Sequence, residues 1–501
     1  MMSADSKDKL HALLADRFRD RKIVIVANRE PLVHERDAFG RLQTSHPASG
    51  MTTALAPIVH ACGGAWVAHG SGSADFEVTD ERSGIAWPTE ESTGRLRRVQ
   101  LTKEIEAGYY YGLSNEGLWP LCHMAYTAPL FRHADWDQYH AANRAFAAAV
   151  LDEIGSAPAA IFIQDYHLAL LPRFLRKARP DLLLAHFWHI PWPNREVMRV
   201  FPWVETLLDG MLGNDLVGFQ VQLHCNNFLD TVDRNIEALV DYEHGRATKN
   251  RHATFVRPFP ISIDVDAYAA RAREGSFETD FPELARATRG QLLLLGVDRL
   301  DYTKGIPHRI RVFETLLAKH PELHGRATFV QIGAPTRTAI GAYSLVAREI
   351  AELVASVNAR FGTAAWTPIR YIPEHRDRDK LAALFRRADA CLVTSLHDGM
   401  NLVAKEYVAA HAGEPGTLLL SKFSGAAREL LEAALVNPYD IETSAQVLAQ
   451  SLAMPEAARA EAMTRLFERI RAHDVYDWAH DIFRALDDIA RRKEAKSFPG
   501  N

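Results

Sequence analysis

In the stretch SLHDGMNLVAKEYVAAHAGEPGTLLLS (395–421), Asp398 and Gly399 lie between an apolar run, ACLVTS, and a helix-length segment carrying Glu406. Gly399 lets the backbone approach a ligand closely. The first N–H groups of the helix, from about Met400 to Val403, make an anion site suited to a diphosphate. Glu406 could then accept hydrogen bonds from a neutral polyol such as ribose. The competing reading, Asp398 as a helix cap and Glu406 as a solvated charge, fits this segment equally well. A second segment, GVDRLDYTKGIP (296–307), shifts the balance by placing Arg299 and Lys304 in the loop beyond another apolar strand. Two cations beside a helix N-terminus form a phosphate clamp that needs no divalent ion.

In the first half of the chain, FIQDYHLALLP (162–172) and HFWHIPWPNREV (186–197) deliver Asp165, His167 and His189 to the ends of apolar strands. Asp and His on adjacent strands suit hydroxyl recognition, although a lone His there is more often structural. IVIVANREP delivers Arg29 in the same way, and GYYYGLSNEGLWPLCH supplies Tyr110 and Trp119, for which core packing is the simpler role. Two motifs are set aside. DVD at 264–266 matches a three-residue metal motif but falls in a linker. GGAWVAHGSGSAD is glycine-rich without the spacing of a dinucleotide fingerprint.

The elements that must position these residues alternate along the whole chain. Strand-like runs begin at 23, 159, 182 and 215, and again at 292, 327, 368, 390 and 417, with helix-length segments between them. Continuous apolar strands with helical crossovers predict parallel sheets covered on both faces. RPFPISIDVDAYAARAREGS (257–276) reads as a linker, which divides the chain into residues 1–265 and 266–475, with a helix in 476–501 packing back on the first domain. The fold class is therefore α/β, two doubly wound, Rossmann-like domains facing across a cleft at their strand ends.

Composition limits the functions available. With 501 residues, 47% hydrophobic, 24% charged and a formal net charge of −5, the chain offers nucleic acid or an anionic membrane no general attraction. Four cysteines stand singly with no zinc-site spacing. The N-terminus lacks an apolar signal core, and no segment has the apolar length of a membrane span. A reduced, cytoplasmic enzyme is expected.

Together, DYHLALLP, FWHIPWPNRE, VDRLDYTKGIP, HDGMNLVAKEYV, LLLSKFSGAA and NPYD resemble the trehalose-6-phosphate synthase family of retaining glycosyltransferases, from about residue 22 to about 485. The resemblance implies the two-domain architecture called GT-B and transfer of glucose from a nucleotide sugar, usually UDP-glucose, to glucose 6-phosphate, with no metal or cofactor. It implies that Arg299 and Lys304 hold the donor diphosphate and that the run Leu402, Val403, Ala404, Lys405 and Glu406 holds its sugar and ribose. Asp398, with Gly399, Met400 and Asn401 beside it, would meet the transferred glucose. His189 would also contact that glucose, Arg376 would face the base, and Gly50 would belong to a loop over the donor. Arg29, Tyr110, Asp165 and Arg337 would bind the acceptor, the two arginines flanking its phosphate, with Trp119 as a wall between the sugars. His189, Arg299, Lys304, Asp398 and Glu406 form the implied catalytic group.

Three positions depart from the family pattern: Ser49 precedes Gly50 where the family has two glycines, His69 replaces a tryptophan, and WPLCHMAY lacks an arginine. All three fall in the acceptor half. A related synthase that uses glycerol 3-phosphate therefore stays open as an alternative, as does a non-catalytic subunit of a trehalose-making complex. The expected partners are a nucleotide sugar and a sugar phosphate, with homo-oligomerisation left open and a separate phosphatase acting downstream.

Overall fold

The nine runs that read as strands in the sequence are all strands in the computed structural model, which describes residues 6–46, 55, 56, 58, 59, 63–88 and 94–497. The chain divides into two compact units, one of Met1–Ile261 with Val475–Asn501 and the other of Ser262–Asp474.

The first unit is built on ten strands: β1 (Lys22–Ala27), β4 (Ala65–His69), β5 (Gly84–Ala86), β6 (Arg95–Val99), β7 (Ala159–Gln164), β8 (Leu183–Phe187), β9 (Leu216–Phe219), β10 (Leu239–Asp241), β11 (Arg246–Lys249) and β12 (His252–Pro258). A separate hairpin pairs β2 (Val33–Arg36) with β3 (Leu42–Ser45). The sheet order is β10-β11-β12-β9-β8-β7-β1-β4-β6-β5, parallel from β12 to β6 with antiparallel strands at both edges. Val24, Val26, Ile161, Ile163 and Leu184 fill one face of the sheet against Phe146, Val150 and Leu171. The helix Val475–Ser497 completes this unit: Trp478 and Phe483 both pack on Phe162, Trp478 also meets Phe187, and Lys493 pairs with the buried Asp215.

The second unit has β13 (Leu292–Arg299), β14 (Ala327–Ala334), β15 (Ile369–Ile372), β16 (Ala390–Val393), β17 (Thr417–Ser421) and β18 (Ala434–Val436), all parallel, in the order β15-β14-β13-β16-β17-β18. In this doubly wound order the chain reverses direction between its first and fourth strands, here β13 and β16. The parallel strands of the first unit follow the same rule, with the reversal between β1 and β7. In such sheets the crevice at the reversal point is where ligands bind.

The expected linker is mostly not one. Its first two residues end β12, and Val265–Glu274 is a helix of the second unit, capped by Asp264, whose Oδ1 accepts from the Ala267 N–H at 3.1 Å. Only 259–264 connect the two, because the prolines at 258 and 260 end the strand while Asp264 starts the helix at once. The DVD motif is thus a cap and, through Asp266, an ion pair with Arg471 at 3.0 Å. No described helix is long and apolar enough to cross a membrane.

Candidate functional site

At the reversal point of the second unit, the loops after β13 and β16 meet. Lys304 ends a short 3-10 turn (Tyr302–Lys304) that Asp301 caps, its Oδ1 accepting from the Thr303 N–H at 3.0 Å and the Thr303 hydroxyl at 2.9 Å. The Lys304 Nζ lies 2.6 Å from Asp398 Oδ2, the same oxygen that accepts from Ser395 Oγ and Asn401 Nδ2 at 3.1 Å each. Three donors on one carboxylate oxygen hold Asp398 as a fixed anion. Burial alone would push the Asp301 carboxyl up, but Arg337, Arg299 and Lys304 together hold it below the usual carboxylate range.

Gly305 makes the approach of the two loops work. Its φ is +61°, and a Cβ there would sit 2.1 Å from the Thr394 carbonyl oxygen. Leu396 N–H donates to the Thr303 carbonyl at 2.8 Å, directly lacing the loops together. Beneath them lies the fully buried Arg309, which donates to Thr394 Oγ1 and Gln331 Oε1 at 3.0 Å each and pairs with Asp298 at 2.7 Å. Thr394 Oγ1 in turn donates to the Gly305 carbonyl at 3.1 Å. One guanidinium therefore joins β13, β14 and the residue just past β16 under the site. Burial pushes the Asp298 carboxyl up in spite of that partner.

The helix beyond Asp398 runs Leu402–His411, two residues shorter at its start than the sequence suggests, and its cap is Asn401 rather than Asp398. Asn401 has φ +83°, which breaks the helical path, and its side chain accepts from the Ala404 N–H at 3.1 Å. Leu402 and Val403 are thus the first-turn N–H groups ahead of that capped amide. Lys405 turns inward to Glu429 at 2.7 Å, its side chain only 1% exposed, while Glu406 is half-buried on the next position. Arg376 lies in the loop after β15, paired with Glu374 at 2.9 Å, and Arg337, at φ +47° after β14, donates to Tyr343 Oη at 2.7 Å.

The reversal point of the first unit gathers the other candidates. Asp165, just past β7, has φ +68° and ψ 173°, a conformation of about 1–3 kcal/mol strain for a non-glycine residue. It persists because three bonds fix it: its N–H donates to the Phe187 carbonyl at 2.7 Å, its carbonyl meets His186 Nε2 at 2.9 Å, and its Oδ1 accepts from the His189 N–H at 3.2 Å. Burial pulls His189 down to about 3 and His186 to about 4, so both rings are uncharged at neutral pH. His189 Nε2 lies 2.9 Å from Gln164 Oε1.

Arg29 and Tyr110 line a cavity of about 230 Å³ with Asn28, Glu30, His69, Ser71 and Glu106 among its other walls. Tyr110 belongs to a π-helix, Ala107–Leu118, and stacks on His167 with ring planes 11° apart. Trp119 follows that helix and is buried in the core against His123 and Tyr166. Gly50 and Ser49 lie outside the described residues.

Sequence reasoning missed Arg309 and Glu30, the two buried groups that support these loops. A helical Arg and a loop Glu ordinarily read as solvated, but Gln331 inside the apolar ATFVQIG was a signal that a polar partner lay below. Among the described residues, no three His, Cys, Asp or Glu side chains are gathered as a metal ion would need.

The profile of glycosyltransferase family 20 matches residues 21–488. A trehalose-6-phosphate synthase of Mycobacterium marinum is 37% identical over 94% of this chain and 95% of its own. A UDP-forming α,α-trehalose-phosphate synthase of Burkholderia xenovorans, solved with glucose 6-phosphate, superposes with a TM-score of 0.83 at 30% identity, covering 93% of this chain and 100% of its own. A trehalose-6-phosphate structure from E. coli, bound with UDP-2-fluoro glucose, gives a TM-score of 0.83 at 31% identity over 93% of this chain and 99% of its own.

Proposed function

The chain belongs to glycosyltransferase family 20, and from that premise we infer that it is a UDP-forming trehalose-6-phosphate synthase, joining glucose from UDP-glucose to glucose 6-phosphate. The relatives' names favour neither a glycerol 3-phosphate acceptor nor a non-catalytic subunit. The observation that carries the reading is the Lys304–Asp398 pair, with Arg299 nearby, at the reversal point of a doubly wound sheet.

In this reading Arg299, Lys304 and the amides of Leu402 and Val403 receive the diphosphate, and Asp398 and Glu406 receive donor hydroxyls. Arg29, Tyr110, Asp165 and Arg337 serve the acceptor. Retention is best accounted for by reaction on one face of the donor sugar. The acceptor oxygen bonds to the anomeric carbon as the bond to the diphosphate breaks, and the acceptor's proton passes to the departing phosphate oxygen. Lys304 and Arg299 stabilise the charge that grows on that oxygen. Asp398, with one oxygen already holding three donors, is suited to positioning rather than attack. Because the cations meet the phosphate charge, the reaction needs no divalent ion. The product keeps its phosphate, so release of free trehalose is a separate hydrolysis by another chain.

The test is direct. Purified protein with UDP-glucose and glucose 6-phosphate should release UDP and form an α,α-linked disaccharide phosphate, at the same rate in excess EDTA. Turnover only with glycerol 3-phosphate, or a strict requirement for magnesium or manganese, would overturn the reading.

A further inference from the structure

Behind Arg29 lies a buried cluster with more carboxyls than cations. The Arg98 guanidinium, fully buried, donates from Nε to Glu30 Oε2 at 2.9 Å and pairs through Nη2 with Asp75 Oδ1 at 2.9 Å. It also donates to the carbonyls of Asp75 and Leu32, at 2.7 and 3.0 Å, and its Nη2 meets His34 Nδ1 at 2.7 Å. Asp75 Oδ1 accepts from the His34 N–H at 2.8 Å. Glu30 Oε1 accepts from the Ser71 N–H at 2.9 Å and from its hydroxyl at 3.1 Å. Two carboxyls thus converge on one cation out of contact with water, and a second buried negative charge there has no counter-ion. Glu30 and Ser71 both belong to the cavity wall that Arg29 lines.

We propose that Glu30 is an acceptor-selecting residue: sharing the single buried Arg98 guanidinium with Asp75 in the cavity wall, it sets whether the charge beside Arg29 admits or repels a sugar phosphate. The proposal rests on the reading that this cavity takes the phosphate-bearing acceptor. The groups facing Glu30 support it from every side. Arg98 on β6, Asp75 on the turn after β4 and His34 on β2 lie behind it. His69 on β4, Glu106 on the helix Lys103–Glu106 and Arg29 lie on the cavity side. Burial holds both histidines below their ordinary value, which leaves Arg29 and Glu106 as the basic and acidic side chains that share the cavity wall with Glu30. An ionised Glu30 makes the balance negative just where a dianion must bind. Burial, followed by hydrogen bonding with Asp75, pushes the Glu30 carboxyl up to about 8 despite the opposing pull of Ser71 and Arg98. The change therefore falls above neutrality, whereas the second ionisation of a phosphate monoester is centred near pH ~6.

The experiment is the KM for glucose 6-phosphate from pH 7 to 9.5, with the KM for UDP-glucose and the melting temperature measured on the same samples. In the wild type the acceptor KM should stay level to about pH 8 and then rise by up to about tenfold per pH unit, while the donor KM holds. Glu30→Gln removes the ionisation, although its amide nitrogen replaces one accepting oxygen and faces the Arg98 Nε–H or the Ser71 N–H, so its melting temperature falls; where it folds, its acceptor KM should stay level throughout. A level wild-type profile in active enzyme overturns the proposal, as does a Glu30→Gln variant that rises with the wild-type slope. If the variant does not fold, the wild-type acceptor and donor profiles decide alone. Absence of UDP release at every pH would instead overturn the assigned function itself, and this proposal with it.

Discussion

Lys304 and Asp398 are 94 positions apart in the chain and 2.6 Å apart in the folded protein. Each was legible singly, as a charge just past an apolar strand, but their pairing was not. It depends on β13 and β16 being neighbours, and strand order is a property of the whole sheet. Arg309 was illegible for a different reason: its helix, Ile306–Lys319, is amphipathic, and an arginine on such a helix reads as solvent-facing until Asp298, Thr394 and Gln331 are brought beneath it. The function of the Lys304–Asp398 pair can be separated from that of the network beneath it. Lys304→Ala removes the charge needed most as the diphosphate leaves. It should lower kcat by roughly 10²–10³-fold, as loss of one preorganised charge donor does in other enzymes, while the KM for UDP-glucose changes far less. Steady-state kinetics with saturating acceptor measure this, and an unchanged kcat would return Lys304 to a bystander charge.

Among the elements, the apolar crossover strands were legible and the short or polar ones were not. β4 lay inside the glycine-rich GGAWVAHGSGSAD, and β6 is RLRRV, whose arginines hide a strand that is half buried because Arg98 is neutralised inside. In the loops that follow the strands the backbone leaves ordinary angles at several places: Asp165, Arg337 and Asn401 all have positive φ. No residue pattern announces such geometry, since none of the three is glycine. The loop bearing Asp398 shows how neighbouring elements hold it. Gly425 N–H donates to the Asp398 carbonyl at 3.1 Å, Ala426 N–H donates to the Met400 carbonyl at 2.9 Å, and a Cβ at Gly425 would fall 1.9 Å from the Gly399 carbonyl oxygen. Gly425→Ala must therefore displace backbone on one side or the other, at a cost of roughly 1–3 kcal/mol if it behaves as ordinary overpacking. Calorimetry should find UDP binding weakened by at least about tenfold with the fold intact, and UDP affinity equal to wild type would show that the loop does not shape the donor site.

At the scale of the molecule, both units wind their parallel strands in one order, reversing between β1 and β7 in the first and between β13 and β16 in the second. Nothing in the sequence repeats to announce this, because doubly wound order is fixed by crossover handedness and sheet burial rather than by particular residues. The prolines and polar segment near 257–276 led to an expected division, and a final helix was expected to return to the first domain; what was not readable is which of its side chains do so, Trp478 and Phe483 on Phe162 and Lys493 on Asp215. The order of synthesis then separates the two units in time. The ribosome must deliver all of Ser262–Asp474 before that helix emerges, a wait of roughly 10–40 s at ~5–20 residues per second. Meanwhile Phe162 and Phe187 lack the side chain that covers them, whereas the second unit is one unbroken stretch and can close first. Nascent chains stalled after Asp474 should accordingly be cut by protease within the first unit and resist it in the second. Equal resistance in both would mean that the growing chain finds a temporary cover for those strands.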